Sequence, residues 1–210
     1  MVTLEMSVDE LVQRVVGATS QIRLTTIRSG KIPDQDWRHL AHAAGELEPV
    51  PMYILDDSAA SIATIRAQAR RLSAKHGLGL IVVDYLQLMT STRSRDNRQV
   101  EVAEMSSGLK RIARDLAVPV IALAQLNRGV ELRADKRPTL ADIRESGSIE
   151  NDSDVVIGIY RDEYYNPEGP NTGEAELLIL KQRNGPTGNP VKLTYRADIG
   201  VFQNYYARGH

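Results

Sequence analysis

The sequence predicts an α/β fold: a mostly parallel sheet flanked by helices, with antiparallel strands added at its edge toward the C-terminus. Three observations predict it. Short apolar runs alternate with amphipathic helical stretches up to residue 125, the pattern of β-α units with crossover helices. One run, "LGLIVVDYLQLMTS" (78–91), places apolar residues around a single glycine and stops at Asp84, as a strand buried on both faces would. After residue 153, strand patterns follow one another with turn residues between them, which reads as a meander.

"VTLE" (2–5) is a short strand ending at Glu5. Ser7 and Glu10 have capping-box spacing, and Leu11, Val15 and Ala18 then share one helical face. Residues 33–47 read as a helix with Pro33 near its start and Trp37, Leu40 and Ala44 along one side. "MYIL" (52–55) is a strand running into Asp56 and Asp57. Ser61 caps a helix that turns Ile62, Ile65, Ala69 and Leu72 inward and stops at Gly77. Residues 90–98 are polar, a loop or helix lead-in. Val102, Met105, Leu109, Ile112 and Leu116 mark a long amphipathic helix. "PVIALA" (119–124) is a strand ending at Gln125, and residues 128–147 are charged with little periodicity. "DVVIGIY" (154–160) and "AELLILK" (175–181) are strands joined by a Pro/Gly/Asn-rich loop, 164–173; "VKLTY" (191–195) and "VFQNY" (201–205) continue them. No internal repeat, low-complexity tract or linker interrupts the chain, so residues 1–210 read as a single domain.

Composition narrows the function classes. With 42% hydrophobic and 25% charged residues the chain is an ordinary globular one. Its 20 arginines against 6 lysines fit either genomic base composition or phosphate recognition, to which a planar guanidinium is well suited. The absence of cysteine excludes disulfides, thiol catalysis and zinc–thiolate sites. No apolar run approaches the ~20 residues of a membrane span and no signal peptide is evident, which predicts an intracellular, cytoplasmic protein without a membrane partner. The abrupt opening on a strand, "MVTLEMS", predicts that more chain precedes it.

Ligands of open parallel sheets sit at the carboxyl ends of the strands. Glu5, Asp84 and Gln125 end three β-α strands. An acid there can hold Mg²⁺ through water, a second carboxylate can orient or deprotonate water, and an amide can sense a γ-phosphate without repelling it. Each feature alone equally fits a capped strand end; the three together point to nucleotide hydrolysis. A phosphate cradle, G-x-x-x-x-G-K-[S/T], is nevertheless absent: the only Gly-Lys pair, Gly30-Lys31, is followed by Ile32. That argues against an ATPase or for a cradle in preceding chain.

The segments "TLEMS" (3–7), "LIVVDYLQLM" (80–89), "ALAQLNR" (122–128), "ADKRPTLADIRESGSIENDSD" (134–154), "YRDEYY" (160–165) and "LKQRNGPTG" (180–188) together resemble the DnaB-type replicative DNA helicases, collinearly over nearly the whole chain. The resemblance implies the C-terminal RecA-like motor domain, a P-loop NTPase core, with the Walker A loop lying upstream of "LEM". It implies Glu5 as the catalytic glutamate that polarises water, Asp84 as the Walker B acid holding Mg²⁺ through water, and Gln125 as the amide coupling γ-phosphate to the DNA loops. Lys181 and Arg183 resemble residues given in trans to the ATP of the next subunit; without the family they read as a strand end and a turn. ATP and Mg²⁺ are the implied cofactors. Single-stranded DNA, a homohexamer, a primase (hence a primosome) and a helicase loader are the implied partners.

Residues 128–147 are the expected DNA-facing segment. Arg128, Arg133, Lys136, Arg137 and Arg144 are offset by Glu131, Asp135, Asp142 and Glu145, so one chain has a weak footprint that six copies would concentrate. Without aromatics here, phosphate contacts fit better than base stacking. "RESG" resembles the DNA-contacting loop of the family, which adds Glu145 in a supporting role and Gly147 as a close backbone approach; the plainer reading is an ordinary mixed-charge loop. His39 and His42 lie three apart but lack further ligands at metal spacing. Trp37 reads as core or an interface plug, Tyr164 and Tyr165 as packing or a base contact, and Arg93, Arg95 and Arg98 as a solvated run or a DNA or primase contact. Two other readings stay open: a RecA-like ATPase of recombinase or clock type, and a non-catalytic oligomerisation or partner-binding module.

Overall fold

A computed structural model describes residues 1–90, 98–143 and 147–205. In chain order its strands are β1 (Val2–Thr3), β2 (Leu55–Asp56), β3 (Ile81–Asp84), β4 (Val120–Ala122), β5 (Val155–Tyr160), β6 (Glu174–Gln182), β7 (Val191–Arg196) and β8 (Val201–Asn204). Its α-helices are α1 (Val8–Ser20), α2 (Leu24–Ser29), α3 (Trp37–Leu47), α4 (Ile62–His76), α5 (Arg98–Leu116), α6 (Gly147–Asp152) and α7 (Asp162–Tyr165). The chain forms two compact units. Of the described residues, one holds 1–6, 53–90, 98–143, 147–158 and 179–187; the other holds 7–52, 159–178 and 188–205.

The first unit is built on a parallel sheet of order β2-β1-β3-β4. Its core gathers Ile65 and Ala69 of α4, Ile81 and Val83 of β3, and Val102, Met105, Leu109 and Ile112 of α5. Burying each large apolar side chain contributes about 1.5–3 kcal/mol before entropy is counted. The helical spacing in the sequence is what aligns these residues on one face. The predicted cap of α4 is present: Ser61 Oγ accepts from the Thr64 N–H at 3.2 Å. Gly77 ends the helix at φ +75°, where a side chain would be strained. Gly108 of α5 lets α4 come close; a Cβ there would lie within 2.9 Å of three Ile62 carbons.

Three expectations are corrected. β3 is buried on one face only: Ile81 and Val83 are in the core while Val82 and Asp84 are half-buried. β4 covers only Val120–Ala122 of the 119–124 run and pairs with β3 at the sheet edge, leaving Ile121 53% exposed. β1 and β2 are two residues long, and past β1 the Thr3 Oγ1 donates to the Met6 carbonyl at 2.6 Å as the chain turns. The late strands also differ from prediction. They form a sheet of their own, of order β5-β6-β7-β8, with β6/β7 and β7/β8 antiparallel, instead of extending the first sheet. Strands close in sequence have found each other.

In the second unit the Ser7/Glu10 capping box forms as read, with Glu10 N–H to Ser7 Oγ at 3.3 Å and Ser7 N–H to Glu10 Oε2 at 3.2 Å. The helix expected over 33–47 is divided: a 3-10 turn, Asp34–Asp36, follows Pro33 and α3 starts at Trp37. Trp37 is 52% exposed, so it is no core residue of this chain. The six-residue α2 carried no sequence signal; Gly30 closes it at φ +67°. Tyr195 and Phe202 pack across β7 and β8 at 4.8 Å, and the Arg161 guanidinium lies 4.0 Å over the Tyr195 ring. Among the described residues no helix is long and apolar enough to cross a membrane.

Candidate functional site

Strand register brings three predicted residues to one rim. Thr3 lies opposite Asp84, and Val83 opposite Ala122. Leu4 N–H donates to the Asp84 carbonyl at 2.9 Å and Leu123 N–H to the Val83 carbonyl at 2.9 Å. Because β1, β3 and β4 are neighbours and parallel, Glu5, Asp84 and Gln125 all follow carboxyl ends on the same side. Parallel strands sit ~4.8 Å apart, so the ends of β1, β3 and β4 span roughly 10 Å, with Glu5 and Gln125 just beyond the ends of theirs. Glu5 and Gln125 are exposed and Asp84 is half-buried. The two carboxylates are oxygen donors of the kind suited to Mg²⁺, which keeps several waters and needs only one or two protein carboxylates when phosphates supply the rest. No cluster of three or more His, Cys, Asp or Glu arranged to hold a metal occurs among the described residues, His39 and His42 included. Those two histidines face carboxylates instead, Asp36 at 4.0 Å and Glu46 at 3.6 Å.

Sequence reasoning missed Gln87. Its side-chain amide clasps the Gln125 backbone from both directions: Gln125 N–H donates to Gln87 Oε1 at 3.1 Å, and Gln87 Nε2 donates to the Gln125 carbonyl at 3.2 Å. Arg98 in turn donates to the Gln87 carbonyl and pairs with Glu101, which is 8% exposed, at 2.5 Å. Arg98, read as part of a solvated run or a DNA or primase contact, is exposed yet bonded to Gln87 and Glu101. The signal was only that Gln87 follows Asp84 by three residues, too short a pattern to stand out.

Lys181 and Arg183 lie beside the end of α6. Lys181 Nζ donates to the Glu150 carbonyl and to the Ser153 carbonyl, the latter at 2.9 Å. Arg183 donates to the Asn151 carbonyl at 3.3 Å and pairs with Asp154 Oδ1 at 3.2 Å. Lys110 of α5 binds the other Asp154 oxygen. The Lys110 hydrogen bond, against a smaller effect of burial, holds the Asp154 carboxyl below its usual range, with the charges of Arg183 and Lys181 adding to it.

Of the DNA candidates, Arg144 and Glu145 lie outside the described residues, as do Arg93 and Arg95. Gly147 opens α6, with nothing within 4 Å of where its Cβ would be. Arg128 is exposed, and Arg137 pairs with Asp135 at 3.4 Å. Lys136 is half-buried. Arg133 has another task. Its two terminal nitrogens meet both Asp142 oxygens at 3.1 and 2.7 Å, and one also donates to the Arg137 carbonyl at 2.7 Å. Asp142 accepts from the Thr139 N–H at 2.7 Å and hydroxyl at 2.9 Å. Burial pushes the Asp142 carboxyl up, but the Thr139 bonds and the Arg133 pair outweigh it and leave the group below its ordinary value. Arg133 thus folds the segment on itself; a phosphate would have to compete with Asp142 for it. Tyr165 stacks on Tyr160 at 6.0 Å, whereas Tyr164 is 67% exposed.

Residues 1–204 match the family described as the DnaB-like helicase C terminal domain. The chain belongs to this family. The DnaB-like domain is 49% identical over 207 residues to the replicative DNA helicase DnaB of Geobacillus stearothermophilus, covering 98% of this chain and 45% of that protein. It is 46% identical to DnaB of Mycobacterium leprae, covering 96% and 33% respectively. The chain therefore spans less than half the length of these relatives. Among solved structures it superimposes on a DnaB-like replicative helicase, described with its interactions with primase, with a TM-score of 0.93 at 36% identity, covering 98% of this chain and 50% of that one. The TM-score is also 0.93, at 36% identity, for a second solved structure described as an ATPase domain, covering 98% and 73%. A recombinase, RadB, shares the fold at a TM-score of 0.51 and 15% identity. The RecA-like fold read from the sequence is thereby borne out.

Proposed function

We propose that this DnaB-like domain is the motor of a replicative DNA helicase. It couples ATP hydrolysis to movement on single-stranded DNA and to unwinding of the duplex. The observation that carries the reading is the shared rim of Glu5, Asp84 and Gln125 at the ends of three adjacent parallel strands. Mg²⁺-ATP would supply the phosphoryl group transferred to water. Glu5 would orient that water and accept its proton, and Asp84 would hold Mg²⁺ through water. Gln125 contacts the phosphate end without adding repulsion. Gln87 holds the Gln125 backbone still, so that side chain can respond to phosphate.

Lys181 and Arg183 act on the ATP of a neighbouring copy in a homohexameric ring, neutralising charge that develops on the transferred group. Arg128, Lys136, Arg137 and Arg144 are assigned to DNA phosphates, with Glu145 in a supporting role and Gly147 as a close backbone approach. Primase and a helicase loader are the further partners of the cytoplasmic assembly; the structural relative described with its primase interactions supports the first. These 210 residues contain no G-x-x-x-x-G-K-[S/T], so alone they turn over little ATP.

The test is phosphate release and fork unwinding by the full-length protein carrying Glu5→Gln or Asp84→Asn. A fall in turnover of about 10²-fold or more, with nucleotide binding kept in Glu5→Gln, is expected. Unchanged turnover in both variants would discard the reading.

A further inference from the structure

Resting on that reading, we infer that Asp154 is a positioning residue: with the carbonyl end of α6 it docks Lys181 and Arg183 and ties their placement to α6. The last carbonyls of any helix lack partners within it. In α6 they are taken by the two cations, Glu150 by Lys181 and Asn151 by Arg183. Asp154 closes the arrangement. Its backbone carbonyl accepts from the Arg183 N–H at 2.8 Å, one carboxylate oxygen holds the Arg183 guanidinium, and the other holds Lys110. Lys110 belongs to α5, whose Val102, Met105, Leu109 and Ile112 are core residues. The dock is thus anchored on the rigid part of the first unit.

The chemistry leaves both cations able to work. Lys181 keeps a third N–H direction after two carbonyls are served, and Arg183 keeps donors beyond those on Asp154 and Asn151. Arg183 is 48% exposed, so its free edge is open to a neighbour. An arginine that stabilises phosphoryl transfer must be placed to a fraction of an ångström, because its effect comes from preorganisation. Two carbonyls and a carboxylate supply that restraint, and all lie on α6 or within two residues of its end. A shift of α6, which opens at the proposed DNA-facing Gly147, then moves Lys181 and Arg183 together.

The experiment is a double-mutant cycle in the full-length protein, reading kcat and KM for ATP with and without single-stranded DNA. Asp154→Ala is expected to lower DNA-stimulated kcat by about ten-fold, a part of what an arginine finger contributes, with KM changed less than about three-fold. Asp154→Glu is expected to restore most of it. In an Arg183→Ala background, Asp154→Ala should then cost less than about two-fold, because the group it places is gone. Additive losses, an equal rise in KM, or no effect of Asp154→Ala while Arg183→Ala is crippling would overturn the positioning role and leave the motor reading intact. An Arg183→Ala variant with unchanged turnover would remove both. Thermal midpoints separate misfolding from misplacement: Asp154→Asn keeps the size of the side chain, and loss of kcat at an unchanged midpoint supports the role.

Discussion

Replacing Arg133 with Ala tests whether it is a structural link. Asp142 is 6% exposed and would lose two charge-assisted hydrogen bonds, and the Arg137 carbonyl would lose a donor. Removing one partner of a buried ion pair costs about 3–5 kcal/mol. Here the arginine side chain is 37% exposed and Thr139 keeps two bonds to the carboxylate, so solvent and those bonds reduce the loss to roughly 2 kcal/mol. With a urea slope of about 2 kcal/mol/M, the unfolding midpoint of the 210-residue chain should fall by ~1 M, followed by circular dichroism. The effect depends on pH with a definite sign. Asp142 has a lowered carboxyl in the folded chain, so its stabilisation is present above the unfolded value of about 3.9 and disappears as pH falls through the folded value. The gap between wild type and Arg133→Ala should therefore be full at about pH 7 and narrow below about pH 4. A second variant, Arg133→Ala with Asp142→Asn, removes the stranded charge and should recover part of the loss. A midpoint within ~0.2 M of wild type at neutral pH would refute the structural role and return Arg133 to the DNA-facing set.

Gly108→Ala gains about 1 kcal/mol of helix propensity but forces a carbon against Ile62, so a net loss of roughly 1–2 kcal/mol is expected, read as a lowered thermal midpoint. Companion Ile62→Val should restore part of it. Gln87→Ala frees the Gln125 backbone; in the full-length protein, DNA-stimulated ATP turnover should drop about ten-fold with nucleotide affinity little changed, and equal turnover would show the clasp to be idle. The isolated 210 residues should release phosphate from ATP no faster than a Glu5→Gln control; robust Mg²⁺-dependent, DNA-stimulated turnover would contradict the need for a Gly-rich cradle supplied from elsewhere.

Much of the fold was legible in the sequence because its signals are local. The Ser7/Glu10 box, the Ser61 cap, the Gly77 stop and the 3–4 spacing along α5 depend on residues within a turn or two of one another. The rim residues were legible for a related reason: an acid or amide straight after a short apolar run marks a strand end in any parallel sheet. The short lengths of β1 and β2 and the break at Trp37 were not, since no local pattern of the sequence marks where they stop or start.

Charge along residues 128–143 and 181–183 shows what composition leaves undetermined. The chain specified which cations are present there, six against three acids. Only the tertiary structure decided their partners: Arg133 went to Asp142 and Arg183 to Asp154. Ion pairs form between groups brought within 4 Å by packing, and residues 110, 154 and 183 meet because α5, the end of α6 and the turn after β6 converge, a fact no local pattern encodes. Likewise the sequence determined that the late segments are strands, while hydrogen bonding between chain neighbours decided that they build a second sheet. Backbone preference acts over a few residues; partner choice depends on the whole packed unit.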